Sequence, residues 1–451
     1  MNSRLLFTLF LGVLLAALDI AVLGPALPAI RLEFGAGSRD ASWLITAYVL
    51  ANLFGTPLLG RLSDRIGRRP IYLLSIGIFG FGSLGVVLAP DLAWITIFRA
   101  FQGFGSGGIF PVATAVIGEV APVEQRGRTL GLLGATFGLA FLIGPPLGGM
   151  VLAFADWRWI FGINLPLGLL VMGLAWKQIP ASTPGSTSGS FDWPGLVSFG
   201  GGLVMAALGL SNLDPSSPLF GFEQVRVWLP LAAGAVLLGI TPWVEHRARD
   251  PILPPSLIGP GILRNVLWLG LGAGIGEVGV MVLPDLAVQT LGVSPAKASL
   301  YLVPLVLGLT LAAPITGRLL DRIGARPIVA TGVALQAISF GAFHWIPTSP
   351  ALYFVVGPLF GAALACLLAS PLRWLLLRHA PVDQRTASQA LLSLSHSVGQ
   401  IATAAILGAL ASGSGLRFAL GIAGIASLFL FVPALAIPSS HTRRTSPQTK
   451  G

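Results

Sequence analysis

The sequence predicts an all-α membrane protein with fourteen transmembrane helices, arranged as two parallel six-helix repeats and a two-helix insertion between them. Three observations lead to this prediction: an apolar composition, long apolar runs between charged breaks, and a duplicated motif. Of 451 residues, 54% are hydrophobic and 10% are charged, whereas a soluble domain carries about 25% charged residues. Lipid is therefore the expected environment of most of the chain.

The apolar runs give the number of helices, because a bilayer-crossing helix needs about 20 predominantly apolar residues. They lie near residues 5–30, 42–60, 70–89, 93–118, 129–153, 158–177, 194–212, 227–244, 265–285, 298–317, 327–346, 351–372, 386–411 and 416–437. The first run lacks a small-residue cleavage site and contains Asp19. We therefore expect a retained helix rather than a signal peptide.

The basic residues predict the orientation. With the N-terminus placed inside, twenty of the 27 Lys and Arg residues fall in cytoplasmic segments, Arg373 among them, and six fall in outer loops. Positive residues are retained on the cytoplasmic side of a membrane. We expect a multi-pass protein of the plasma membrane with both termini in the cytoplasm.

Two sequence segments occur twice. Gly60–Ile71 reads GRLSDRIGRRPI and Gly317–Ile328 reads GRLLDRIGARPI, while APVEQR at Ala121–Arg126 returns as APVDQR at Ala380–Arg385. The chain therefore contains two homologous halves. Because the insertion has an even number of helices, both halves keep one orientation, which makes them parallel repeats about an axis along the membrane normal.

These repeats predict four parts of the chain. They are an N-terminal half (1–178), a linker with the two-helix insertion (179–260), a C-terminal half (261–437) and a disordered cytoplasmic tail (438–451). The Ser/Gly/Pro-rich segment 180–192 is expected to be a flexible polar loop.

Three ionisable residues lie in the middle of apolar runs: Asp19, Arg99 and Glu277. A charge at this depth costs about 2.5–3.5 kcal/mol, so each needs a partner, water or a function. Asp19 and Glu277 lie on repeat-equivalent helices that we expect to face each other across a central cleft. Burial raises a carboxylate pKa and a nearby cation lowers it, which makes both residues proton-coupling candidates. The alternatives are structural pairing for Asp19, close glycine packing around a buried hydrogen bond for Glu277, and an ion-pair lock for Arg99.

The duplicated loop resembles the best-known signature of the major facilitator superfamily, and the resemblance covers nearly the whole chain. The family's Gly-x-Leu-x-Asp-Arg-x-Gly-Arg-Arg pattern is matched by Gly60, Leu62, Asp64, Arg65, Gly67, Arg68 and Arg69, and its second copy supplies Gly317, Asp321 and Arg322. The resemblance implies a gating loop. Gly60 and Gly67 allow a tight turn, and Asp64 suits a helix N-terminus, which by resemblance begins near Gln384. Alternatively, the arginines only retain the loop inside.

The fifth run resembles the family's antiporter motif, which implies export. It is matched by Gly131, Gly144, Pro145, Gly148 and Gly149, with Ala140 where a glycine is usual. Small residues let helices approach closely, so ordinary packing is the alternative explanation.

Other segments resemble the fourteen-helix drug:proton antiporter branch. They are LDIAVLGPALPAI from Leu18 and the stretch from Trp157 through Asn164, although Ala21 and Gly24 stand where Thr and Asn are usual. Arg99 begins a segment resembling the family's fourth-helix motif, in which an Arg lies near the proton path. A guanidinium does not release its proton, so its expected role is to bias a carboxylate.

Further polar residues are candidates for lining the cavity. Gln102 lies three residues from Arg99, and His396 and Gln400 share one helix face; local hydrogen bonding is the alternative for the histidine. No nucleotide, metal or nucleophile motif is evident. Gly103, Gly105 and Gly108 indicate helix packing rather than a dinucleotide fingerprint, and Cys366 is the single cysteine. We expect neither cofactor, metal nor nucleic acid.

The sequence therefore predicts a secondary transporter, not an enzyme. We expect it to export hydrophobic or amphipathic small molecules in exchange for protons by alternating access, as a monomer among membrane lipids. A lipid or glycolipid exporter of the same fold is the alternative. A non-transporting membrane enzyme would need a catalytic cluster and a sensor would need a soluble domain, and neither is apparent in the sequence.

Overall fold

The computed structural model describes residues 3–35, 38–122, 125–181, 192–213, 221–248, 251, 261–293, 295–381 and 384–438, and within these ranges it contains helices and no strand. An α-helix satisfies each backbone N–H and C=O inside one segment, which is required in lipid. Most of the expected linker and the tail beyond Pro438 lie outside the described residues.

The helices follow the apolar runs in order. The first half contains α1 (Ser3–Phe34), α2 (Ser38–Ile66), α3 (Arg68–Val87), α4 (Leu92–Val120), α5 (Arg126–Phe154), α6 (Arg158–Gly162) and α7 (Asn164–Gln178). Next come α8 (Trp193–Ser211) and α9 (Val225–Arg247). The second half contains α10 (Ile262–Leu291), α11 (Pro295–Leu300), α12 (Val303–Ile323), α13 (Ala325–Trp345), α14 (Pro350–Leu364), a π-helical turn (Ala365–Ala369), α15 (Pro371–His379), α16 (Arg385–Ser414), α17 (Leu416–Phe429) and α18 (Phe431–Leu435).

Among the described residues, twelve helical spans are long and apolar enough to cross a membrane, where the sequence predicts fourteen. The two further long helices are α5 and α16, with 29 and 30 residues. At about 1.5 Å per residue, both have the length of a membrane helix. Several Ser and Gln residues make α16 less apolar than most of the other spans.

Apolar packing joins the two halves at one end of the bundle. One buried cluster there contains residues of both halves, among them Val116 and Leu130 with Leu320 and Leu376. Two other clusters each stay within a single half, 22–161 in the first and 278–423 in the second. We call the joined end the motif end, because both copies of the duplicated loop lie there. The halves are closed against each other at this end.

Both copies of the loop turn at a glycine. Gly67, between α2 and α3, has φ 117°, and Gly324, between α12 and α13, has φ 82°, a region that side chains other than glycine rarely adopt. The expectation that Gly60 shares in the turn is wrong, since it lies inside α2. At its repeat equivalent, Gly317, a Cβ would lie 2.5 Å from the Gly127 carbonyl oxygen. The glycine there allows α12 to approach α5 closely.

The pair α8 and α9 packs together through small residues. A Cβ on Gly234 of α9 would lie 2.7 Å from the Ala206 backbone nitrogen of α8, and one on Gly202 of α8 would lie 2.8 Å from Leu238. On its other side α8 contacts the core helices, because Leu203 and Leu53 of α2 belong to one buried cluster with Leu394 of α16. The pair therefore lies on the flank where the two halves meet.

Candidate functional site

A sealed polar cluster lies in the core of the first half, around Asp19. Its carboxylate accepts hydrogen bonds from Arg99 Nη1 (2.5 Å), Gln102 Nε2 (3.1 Å) and Asn164 Nδ2 (2.9 Å). Ser83 completes the cluster by accepting from Gln102 at 2.8 Å. Asp19 is 0% exposed and Arg99 1%, so four helices bring an acid and a base together out of contact with bulk solvent.

The Arg99 guanidinium has further partners that hold it in place. Its Nε donates to the Leu44 carbonyl at 3.3 Å, and its charge lies 4.5 Å from the Tyr48 ring centroid and 5.8 Å from that of Phe161. Such cation–π contacts are strongest where water is absent. Asp19 and Arg99 therefore form a buried ion pair, an arrangement in which loss of one partner leaves the other charge uncompensated.

Glu277 has a different setting in the second half. Its Oε2 lies 3.1 Å from His396 Nε2, and the side chains are 31% and 19% exposed. The contact joins α10 to α16, which approach closely because Gly274 lies against the backbone of Gln400 and the His396 carbonyl. Asp19 and Glu277 thus have separate partners, each within its own half, and they differ in access to water.

Asp64 lies at the N-terminus of α16. Its Oδ2 accepts a hydrogen bond from the Ala387 backbone N–H at 2.8 Å, and α16 begins at Arg385, one residue from the position that the resemblance implied. The same carboxylate is paired with Arg68, which also binds Glu119 at 2.9 Å. A carboxylate at this position is stabilised by the partial positive charge of the helix terminus.

The second copy of the loop makes the equivalent contact in the opposite direction. Asp321 of α12 accepts from the backbone N–H groups of Gly127 and Arg128 at the N-terminus of α5, both at 3.0 Å. Each half therefore places one acid on the first turn of a helix of the other half. These two contacts cross the boundary between the halves at the motif end.

The remaining arginines of the loops have unlike surroundings. Arg69 stacks on the Trp176 ring at 4.2 Å, and Arg322 is exposed, while Arg65 is half-buried. Arg385 adds a contact between the halves, because its Nη1 donates to the Gly118 carbonyl at 3.2 Å.

The glycines of the fifth run serve different contacts. A Cβ on Gly131 would lie 2.6 Å from the Ala313 carbonyl oxygen of α12, and one on Gly144 would lie 2.5 Å from the Ala21 Cβ of α1. Gly149 has open space around it, and Gly148 is buried. Pro145 lies within α5, and its side chain is not described. Gly131 thus sets the approach of the halves, whereas Gly144 packs α5 on α1.

Sequence reasoning missed several members of these sites. Ser83 was not considered, and Asn164 was noted only as part of a resemblance, although a polar residue within an apolar run is itself a signal. Arg373, counted with the cytoplasmic segments, lies in α15 and is only 7% exposed. Because Arg373 lies close to the end of an apolar run, its sequence position predicts an exposed loop residue. The sequence alone therefore does not indicate that it is buried.

An apolar cavity of about 970 Å³ lies apart from these polar groups, on the flank of the first half between α2, α3, α4 and α7. Its walls include Leu74, Phe81, Phe101 and Trp176. Several of these side chains are exposed on the outer surface of the bundle. The sequence predicts a central cleft between the halves, whereas this cavity lies to the side of the first half.

The comparisons with known proteins agree with this architecture. Major Facilitator Superfamily sequences match residues 9–287 and 266–451. The chain is 32% identical over 400 residues to the uncharacterized MFS-type transporter YfiU of Bacillus subtilis (strain 168), covering 87% of this chain and 76% of YfiU. It is 31% identical over 403 residues to the multidrug resistance protein B homolog of Mycobacterium tuberculosis (strain H37Rv), covering 86% and 72%.

A solved structure adds evidence on the fold. The human organic anion transporter MFSD10 (TETRAN) superimposes with a TM-score of 0.71 at 16% identity, covering 96% of this chain and 99% of that chain. At this identity the likeness concerns the fold alone. Taken with the sequence match over both halves, it shows that the chain belongs to the Major Facilitator Superfamily and is a membrane transporter rather than an enzyme.

Proposed function

We propose that this transporter exports hydrophobic or amphipathic small molecules in exchange for protons, as a member of the fourteen-helix drug:proton antiporter branch. The observation that carries the proposal is a pair of acids on repeat-equivalent helices, each beside a basic side chain, above a closed motif end. In this proposal α5 and α16 also cross the membrane, and α8 with α9 is the inserted pair.

Proton exchange is assigned to both acids, with different tasks. Glu277 is partly exposed beside His396, and we assign proton entry and release to this pair. Asp19 is sealed against Arg99. Its protonation would release the guanidinium and loosen the cluster, which couples the charge state of the first half to its packing.

The gating role is assigned to the contacts at the motif end. Asp64 and Asp321 hold the helix N-termini of opposite halves, and both contacts must break before the halves separate there. With the basic loops on the cytoplasmic side of the plasma membrane, the described conformation is closed toward the cytoplasm. Protonation and cargo binding shift the population between this conformation and one that opens inward.

The names of relatives support a drug-like cargo, since one of them is a multidrug resistance protein B homolog. A lipid or glycolipid exporter is the second candidate. It is favoured by the apolar cavity of about 970 Å³ on the flank of the first half, because an acyl chain enters such a site directly from the bilayer. Both cargos suit a monomer that operates among membrane lipids.

The test is transport by purified protein in proteoliposomes with an imposed pH gradient, using cationic dyes and fluorescent lipids as two cargo panels. We expect Glu277→Gln and Asp19→Asn to lower gradient-driven flux at least about tenfold. Asp285→Asn is the matched control, because Asp285 is an exposed acid on the same helix as Glu277. Flux by the unmodified protein that ignores the gradient would exclude proton antiport. Thermal melts separate lost coupling from lost folding, and for Asp19 the variant Asp19→Glu keeps the charge.

A further inference from the structure

Arg373 is buried at the boundary between the halves. It lies on α15, and its guanidinium carbon is 4.0 Å from the centroid of the Phe110 ring on α4 of the other half. Its side-chain hydrogen bonds are long, because its terminal nitrogens donate to Gln389 Oε1 and Ser393 Oγ at 3.4 Å each. Its Nε has no hydrogen-bond partner in the part of the chain that the structure describes.

Among the described residues, the lack of a carboxylate partner distinguishes Arg373 from the buried Arg68 and Arg99. An arginine keeps its charge when buried, and a buried charge normally has a counter-charge. Within the described part of the chain, Arg68 pairs with Asp64 and Glu119, and Arg99 pairs with Asp19. No carboxylate contacts Arg373 among the described residues. If Arg373 only stabilised the interface between the halves, we would expect it to pair with a carboxylate, as Arg68 does.

A polar stripe leads from Arg373 to the accessible pair. Gln389, Ser393, His396 and Gln400 recur at helical spacing and therefore lie on one face of α16. Gln389 is fully buried next to Arg373, whereas His396 is 19% exposed beside Glu277. From Gln389 to His396 the rise is about 10 Å at 1.5 Å per residue. Arg373 thus lies at the closed end of a polar path that begins near water.

We infer that Arg373 binds the anionic group of the cargo, a sulfonate, carboxylate or phosphate ester on an apolar body, when the halves separate at the motif end. Separation removes Phe110 together with the first half and uncovers the guanidinium. Its planar fork then donates hydrogen bonds to two anionic oxygens at once, while apolar walls receive the rest of the molecule. Return of Phe110 displaces the anion toward the other end. This inference rests on the proposed export function and names its cargo class.

The experiment compares two dansyl-labelled alkyl probes that differ in the head group, a sulfonate and a trimethylammonium. Equilibrium binding to the purified full-length protein is measured by dansyl fluorescence, and uptake into proteoliposomes is measured in parallel. Arg373→Gln removes the charge and Arg373→Lys keeps it without the fork. Arg378→Gln is the matched control, because Arg378 is an exposed arginine on the same helix, stacked on Trp374.

We expect Arg373→Gln to raise the dissociation constant of the sulfonate about tenfold or more, to leave trimethylammonium binding within about twofold, and Arg373→Lys to be intermediate. Equal losses for both probes would assign Arg373 a conformational role alone and overturn the inference, as would unchanged sulfonate binding. Phe110→Leu is a second check, because it keeps the guanidinium and changes only the side chain that covers it. Selective loss of sulfonate binding in this variant would also contradict the assignment.

The two proposals fail in different ways. Binding does not require a gradient, so sulfonate binding that depends on Arg373 together with gradient-independent flux would reject proton coupling and leave this inference standing. Gradient-driven export of the trimethylammonium probe without any binding of the sulfonate would reject this inference and leave proton coupling standing.

Discussion

Replacement of Asp321 by asparagine tests whether the acids at the motif end hold the closed conformation. Asp321 accepts two backbone N–H groups at the start of α5, from Gly127 and Arg128. The amide keeps one acceptor oxygen and loses the other together with the charge. One hydrogen bond to a charged group contributes about 1.5 kcal/mol or more, and the charge at the helix terminus adds about 0.3–1 kcal/mol.

These contributions amount to about 2 kcal/mol in favour of the closed conformation, and a factor of ten corresponds to about 1.4 kcal/mol. We therefore expect Asp321→Asn to raise the ratio of the conformation open at the motif end to the closed one about 30-fold. The contact lies entirely between the halves, so the folding of either half should change little.

The assay is a spin-label distance measurement across the motif end. Labels are placed on Lys177→Cys and Arg378→Cys, exposed positions in opposite halves, in a background in which the single cysteine is replaced, Cys366→Ala. We expect a longer distance to gain population in Asp321→Asn. Asp91→Asn is the matched control, because Asp91 caps α4 within its own half by accepting from Trp94 N–H at 2.7 Å. An unchanged distribution in Asp321→Asn, or an equal change in the control, would refute the reasoning.

Two further predictions concern packing and pH. Gly131→Ala is expected to lower the melting temperature and the transport rate, since its Cβ would lie 2.6 Å from the Ala313 carbonyl oxygen. Gly149→Ala, in open space on the same helix, should be neutral or slightly stabilising. Similar melting curves for both variants would contradict this prediction. The pKa of Glu33 lies below its ordinary value because Arg158 donates hydrogen bonds to it, with a second contribution from the Trp157 indole. A lowered pKa stabilises the folded state above the ordinary glutamate pKa of about 4.3 and ceases to do so as the pH falls through the lowered value. The melting temperatures of Glu33→Gln and the unmodified protein should therefore differ at neutral pH and converge in acid, and a constant difference would contradict the assignment.

Repetition made much of the motif end predictable. A motif that occurs twice with one spacing fixes both its own helix boundary and the order of the helices around it. The contact of Asp64 with the start of α16, more than 300 positions away, was implied by the family resemblance and not by the repeat. Asp321 makes the equivalent contact with the start of α5, through hydrogen bonds from Gly127 and Arg128. The sequence placed Asp321 in the second copy of the loop but did not indicate this partner helix.

The partners of buried charges were less predictable. Asp19 was recognised because a charge inside an apolar run is costly, but Ser83 and Asn164 reach it from other helices, and sequence spacing holds no information about such contacts. For Arg373 the sequence predicted a cytoplasmic loop residue, whereas the side chain is buried. Hydropathy separates apolar from charged segments, yet it does not tell a charge at the membrane surface from one buried between two halves.

The repeats also explain why the two acids have unlike partners. The spacing of the duplicated motifs places Glu277 where the first half has Asp19, but it places Val356–Pro358 where the first half has Arg99, and none of these three residues is basic. Among the described residues, the side chain paired with Glu277 is instead His396 on α16. One half therefore holds its acid in a fixed ion pair, whereas the other exposes its acid to water. Because α16 also receives Asp64 of the opposite half, we expect protonation of the second-half pair to act on the same helix that closes the motif end.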